Sequence, residues 1–264
     1  MKTLGIQHFR EMKGQGEKIA CMTAYDASFA RALERAGMDL VLVGDSLGMV
    51  IQGHATTLGV SVDDMIYHSR QVAAGLERAM LVADLPFMSY ATPEQALTNS
   101  ARLMGEGGAR MVKMEGGAWL LETIRMLDER GVPVCAHLGL LPQSVHKLGG
   151  YQVQGREADA AQRLMQDALA LQQAGALMLV LECVPATLAA EISLALDIPV
   201  IGIGAGVACD GQVLVLHDAL GVNGAGPRFS RNFLDGASGI DDALRRYVSA
   251  VREQSFPTDA HSFQ

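Results

Sequence analysis

Five titratable residues stand at or just beyond the ends of apolar runs in this chain: Asp45 after "LVLVG", Asp84 closing "MLVAD", Glu115 closing "MVKME", His137 in "VPVCAH" and Glu182 after "LMLVL". One such aspartate is by default a turn former, because its side chain bonds nearby backbone amides. Five in the same relation to five apolar runs require a common cause. Carboxylates gathered in one place repel each other unless a cation or a proton lies between them. Asp45, Asp84 and Glu115 have no neighbouring histidine or thiolate ligands in sequence and suit a hard, oxygen-loving ion, Mg²⁺ in preference. Lys113 and Glu115 are two residues apart, so in a strand both point to the same face. They are either an internal ion pair or a substrate-carboxylate anchor beside a metal ligand. Glu182 follows a run with little to solvate it, a setting that favours a general base over its rival, a hydrogen-bonded structural role. His137 is less specific, equally readable as a core histidine bonded to backbone.

These residues need elements that bring them together. Short β-rich runs recur at "KIACMTAYD", "DLVLVGDS", "AMLVADLPF", "ARMVKMEGG", "VPVCAHLG", "ALMLVLECVP", "IPVIGIGAG" and "QVLVLHDA". Between most of them lie segments of helical spacing, such as "ASFARALERAG", "TPEQALTNSARLMGEGG" and "EADAAQRLMQDALALQQAG". Strand then helix, about eight times, with near-continuously apolar strands, predicts an α/β fold, a single-domain parallel (β/α)8 TIM barrel. Strand C-termini converge on one face of such a barrel, which is where the five residues would meet. "TPEQ" supplies Thr92 as an N-cap with Pro93 at the first helical position. The predicted limits are a helical extension over about 1–18, the barrel, and a C-terminal helix and tail over about 239–264. "GAGVACDGQ" is too short for a full crossover and implies a truncated or irregular seventh helix. The long glycine-rich "LGLLPQSVHKLGGYQVQGR" is expected to form an active-site wall or lid.

Composition narrows the classes. The 264 residues are 49% hydrophobic and 19% charged, with a formal charge of −8, which argues against nucleic acid as a partner. No apolar run reaches membrane-spanning length and the first residues lack a signal-peptide core, so a soluble cytoplasmic protein is expected. Cys21, Cys135, Cys183 and Cys209 are widely spaced and read as reduced core thiols. His8, His54, His68, His146, His217 and His261 show no zinc spacing. Gly202, Gly204 and Gly206 lack the third-glycine spacing of a dinucleotide fingerprint; they are open to a phosphate loop or to tight packing.

The ordered motifs "TAYD", "VGDSLG", "ADLPF", "KMEGG", "HLGLLPQS", "QGR", "LECVP" and "PVIGIGAG", with a terminal "AHSF", resemble the ketopantoate hydroxymethyltransferase family over nearly the whole chain. The resemblance implies transfer of a hydroxymethyl group from 5,10-methylenetetrahydrofolate to 3-methyl-2-oxobutanoate, giving 2-dehydropantoate in pantothenate synthesis. It further implies a Mg²⁺ site at Asp45, Asp84 and Glu115. Ser46, Asp84 and Lys113 would contact the oxo acid, with Asp45 and His137 in the same substrate-binding set, and Glu182 would be the base. A homo-oligomer, a decamer of two pentameric rings, is implied as well. Two features depart from the pattern: Leu141 stands where Thr is expected, and "GVNGAGPRF" is short and lacks the basic or histidine-containing form of some members. The alternatives are another Mg²⁺-dependent α-oxo-acid lyase or aldolase on the same barrel, and a catalytically silent binding or assembly protein.

Overall fold

The apolar runs form eight strands in the computed structural model, which describes residues 3–264; Met1 and Lys2 lie outside the described residues. The strands are β1 Ile19–Thr23, β2 Leu40–Val43, β3 Met80–Asp84, β4 Met111–Glu115, β5 Val134–Gly139, β6 Met178–Glu182, β7 Val200–Ile203 and β8 Gly211–Leu214. They pair in chain order, all parallel, and β1 returns to β8 through Ile19↔Gly211 and Cys21↔Val213, closing the barrel. The helices are α1 Ile6–Gln15, α2 Ala27–Ala36, α3 Leu47–Val50, α4 Val62–Ala73, α5 Pro93–Gly105, α6 Leu121–Asp128, α7 Val145–Leu148, α8 Ala158–Gln173, α9 Ala186–Ala195, α10 Leu216–Ala219 and α11 Ile240–Arg252. The chain is therefore a single-domain (β/α)8 barrel.

Local chemistry sets the helix ends. Thr92 Oγ1 accepts from Gln95 N at 3.3 Å at the start of α5, with Pro93 at its first position. Asp26 caps α2 through Ser28 N and Phe29 N, and Ser61 and Asp64 form a reciprocal capping box on α4. Between β7 and β8 the expected truncated or irregular helix is absent: residues 204–210 hold turns and bends and no helical turn. The connection is too short to nucleate a helix and still cross over to the next strand. Gly204, at φ 62°, is packed so closely that a Cβ would stand 3.0 Å from both Phe229 Cβ and Phe263 Cε2, so packing accounts for its type.

Alternation along the strands divides two cores. Ala20, Met22, Val41, Val43, Leu81 and Val112 pack against the surrounding helices. Ile19, Cys21, Leu40, Leu42, Met80, Val82 and Met111 fill the barrel interior with Phe9 and Met12 of α1. Helix α1 thus plugs the end where the strands begin. Lys13 Nζ holds it there, bonding Asp210 Oδ2 at 2.6 Å and Ser193 O at 2.8 Å. Tyr247 of α11 donates to Cys21 O or Gln212 O, at 2.8 and 2.9 Å, across the β1–β8 seam. The interior is sealed below, so a cavity can open only above, where the strands end. Among the described residues no helix is long and apolar enough to cross a membrane.

Candidate active site

Asp84, Glu115 and Glu182 are the last residues of β3, β4 and β6, His137 is near the end of β5, and Asp45 follows β2. Together with Ser46 and Lys113 they line one cavity of about 650 Å³ at the strand C-termini. Parallel register places them: Asp84 is opposite Lys113, and Glu115 is opposite His137. All seven of these residues therefore reach the same space.

The pairing within it is specific. Lys113 Nζ lies 2.8 Å from Asp84 Oδ1, an ion pair across two strands and not along one, and both groups are buried. Asp84 Oδ2 accepts from Asp45 N at 3.1 Å. Gly44 leaves room for the Ser46 hydroxyl beside it, where a Cβ would stand 2.9 Å from Ser46 Oγ. Glu115 Oε1 is 3.5 Å from His137 Nδ1, and Glu182 Oε2 is 3.4 Å from His137 Nε2. The second contact is at ion-pair distance without hydrogen-bond alignment, so Nε2 keeps no hydrogen-bond partner among the described residues. Glu182 is less buried than the others, with its side chain 13% exposed.

Charge and burial act together. Burial, then the Asp84 and Glu115 carboxylates, push the Asp45 carboxyl well above the ordinary range. Burial raises Asp84 too, and the Lys113 ammonium offsets only part of that. Burial opposes charge on Lys113, but Asp84, Glu115 and Asp45 outweigh it and raise its pKa. His137 is opposed by burial and by Lys113, and is nonetheless carried up to about 9 by Glu115 and Glu182. Glu115, despite burial, is lowered by His137, Lys113 and the Gln143 amide. With His137 protonated on both nitrogens, its 3.5 Å approach to Lys113 Nζ is a like-charge contact held by Glu115.

Several residues of the site carry no signal in their type. Gln143, from the segment after β5, is buried: its Nε2 donates to Asp45 Oδ2 at 2.8 Å and Leu85 O at 3.0 Å, and its backbone N donates to Glu115 Oε2 at 3.0 Å. Tyr90 Oη donates to Gln143 Oε1 at 2.5 Å, which fixes the amide's orientation toward Asp45. Tyr25 Oη and Ser46 Oγ are 2.8 Å apart. Leu140, Pro142 and Tyr151 of the long segment after β5 form one wall, and Arg228, Phe229 and Phe263 form another. Phe263 arrives because the tail returns to pair with Pro185 and accept from Ala186 N at 2.9 Å. Only its position after the last helix could have suggested that.

Asp45 and Asp84 fit a hard divalent cation. Their donors are carboxylate oxygens, and three buried carboxylates face one lysine and one histidine. Among the described residues no three His, Cys, Asp or Glu side chains are grouped to enclose an ion. Two carboxylates with no nitrogen or sulfur donor beside them are a donor set suited to a hard cation that keeps open positions for other oxygen ligands.

A family model described as ketopantoate hydroxymethyltransferase matches residues 3–259. The chain is 60% identical over 258 residues to 3-methyl-2-oxobutanoate hydroxymethyltransferase of Nitrosococcus oceani, covering 97% of this chain and 98% of that one. It is 58% identical over 264 residues to the protein of the same name from Shewanella piezotolerans, covering all of both chains. Among solved structures it is similar to 2,3-dimethylmalate lyase, a member of the PEP mutase/isocitrate lyase superfamily, at a TM-score of 0.61 and 15% identity, covering 95% of this chain and 99% of that one. That last likeness is one of fold.

Proposed function

The chain belongs to the ketopantoate hydroxymethyltransferase family, transferases of the pantothenate pathway, and from that membership we propose that it moves a hydroxymethyl group from 5,10-methylenetetrahydrofolate to 3-methyl-2-oxobutanoate with Mg²⁺ as cofactor. The observation that carries the proposal is the buried floor of Asp45, Asp84, Lys113, Glu115 and His137, with the less buried Glu182 beside it.

Asp45 and Asp84 would hold the cation, and Glu115, already engaged by His137 and Gln143 N, would orient its surroundings. Bound there, Mg²⁺ would polarise the keto group of the oxo acid and acidify the neighbouring methine. Lys113 presents fixed positive charge to the oxo-acid carboxylate, and its pairing with Asp84 keeps it aimed into the cavity. Ser46 Oγ, tethered by Tyr25 Oη, offers a positioned hydroxyl to the same substrate. Glu182 takes the methine proton, with the His137 imidazolium near enough to hold its carboxylate in place. The carbon thus freed would attack the methylene carbon of the folate, and a water molecule would supply the hydroxyl as the carbon–nitrogen bond to tetrahydrofolate breaks and the departing nitrogen takes a proton. A homo-oligomer, decameric by the resemblance, is part of the same proposal; exposed Ile51, Phe87, Met88 and Trp119 support self-association, and sedimentation velocity reads the mass.

The test omits folate. In the presence of Mg²⁺ and D₂O, wild-type protein should exchange the methine hydrogen of 3-methyl-2-oxobutanoate, followed by NMR. Glu182→Gln should retain oxo-acid binding and lose about 10²- to 10⁴-fold in exchange rate, the usual span of a general base. Exchange at the wild-type rate in that variant removes the base role from Glu182.

A further inference from the structure

The cavity has more room and more chemistry than the oxo acid uses. Its floor holds the charged groups already described, while Met49, Val50, Tyr151, Val215, Phe229 and Phe263 give the upper part apolar and aromatic walls. Asp218 of α10, just beyond β8, also lines it. The reaction as derived above gives Asp218 no task. Among the described residues its carboxylate has neither a hydrogen bond nor an ion pair, and burial alone acts on it, pushing the carboxyl up. It lies close enough to Tyr25 for its charge to oppose ionisation of that phenol, which places it on the β8–β1–β2 side of the mouth. A half-buried carboxylate without a partner costs free energy that a ligand with matching donors would recover.

Resting on the folate reading above, we propose that Asp218 recognises the pterin of the one-carbon donor, accepting hydrogen bonds from its N3–H and 2-amino groups. A 2-amino-4-oxopyrimidine edge offers two parallel N–H donors, which match the two oxygens of one carboxylate as a guanidinium fork does. The apolar walls suit the flat faces of the ring system. Arg228 completes the match at the far end of the ligand. It is exposed, lines the same cavity, is anchored by Nε to Ala260 O at 3.2 Å and stacked 5.4 Å from the Phe263 ring centroid, and offers a guanidinium to the anionic glutamyl tail. Donor edge, flat body and anionic tail thus find a carboxylate, an apolar slot and a guanidinium in one cavity.

The experiment titrates Mg²⁺-loaded protein with tetrahydrofolate and with its 2-desamino analogue in a calorimeter. Wild type should bind tetrahydrofolate about 10- to 100-fold more tightly than the analogue, the range for losing hydrogen bonds to a charged group. Asp218→Asn keeps one acceptor oxygen and sets an amide donor against the other pterin N–H, and should weaken tetrahydrofolate by a similar factor and narrow the gap between the two ligands. Should the Asn variant fail to fold, Asp218→Ser is read in its place. A variant that keeps the wild-type preference for the 2-amino group overturns the assignment, as does a wild-type protein with no preference. Absence of any tetrahydrofolate binding to wild type overturns the folate reading itself, a failure told apart because methine exchange needs no folate.

Discussion

At the scale of single residues, the site is governed by unequal numbers of buried charges. Lys113 sits among Asp84, Asp45 and Glu115, so removing it leaves carboxylates facing one another. Lys113→Met should destabilise metal-free protein by about 3–5 kcal/mol, the cost of breaking a buried pair from one side. Added Mg²⁺ should restore more stability to the variant than to wild type; equal restoration, read from urea midpoints, would separate the lysine from the cation site. His137 gives a pH signature. Its folded pKa is raised to about 9 from an ordinary 6.5, so its contribution is fully present below about pH 6.5 and is lost as pH rises through about 9. Metal-free wild type should lose stability across that window, and His137→Gln should flatten the slope in denaturant midpoints measured from pH 6 to 9.5. The sequence identified both residues by type and offered a Lys113–Glu115 ion pair as one of two readings of Lys113, whereas its closest carboxylate is Asp84 on the neighbouring strand. Same-face spacing within a strand is local, while the nearest partner is decided by interstrand register.

At the scale of elements, the segment after β5 does what its length foretold and its composition did not. Its glycines and single proline announce a wall, but its contribution to the charged floor is one neutral amide, Gln143, tied to Asp45, Leu85 and Tyr90. Gln143→Leu keeps the volume and removes those bonds. It should cost about 1–3 kcal/mol of stability by leaving buried groups unsatisfied. Because Asp45 loses its orienting donor, the Mg²⁺ concentration for half-saturation should rise while the melting cooperativity is kept; an unchanged metal titration would reduce Gln143 to a packing residue. Helix ends were legible from caps such as Thr92-Pro93, since capping is chemistry between near neighbours. The β7–β8 connection was expected to hold a truncated or irregular helix and holds none, because the strand-helix pattern of the other units was extended to a segment too short for it.

For the whole molecule, closure of the barrel turns eight strand ends into one cavity and couples the site to global stability. Anything that binds the folded cavity and not the open chain stabilises it, by about 2.7 kcal/mol at a concentration one hundred times its dissociation constant. Chelation should therefore lower the melting temperature and Mg²⁺ restore it, whereas Asp84→Asn should show neither response; an Mg²⁺ shift in that variant would place the cation elsewhere. The amino-acid sequence by itself determined the strand and helix order, the parallel barrel and the charged strand ends, because hydrophobic periodicity, caps and glycine stops act over a few residues. It also carried the family motifs. Tertiary structure alone decided that Lys113 pairs with Asp84, that Gln143 and Tyr90 brace Asp45, and that Phe263 of the tail and Asp218 of α10 face the same cavity. These contacts join residues far apart in the chain. Their positions are fixed by strand register and by the return of the tail onto β6's following turn, and no local pattern of residue types encodes either.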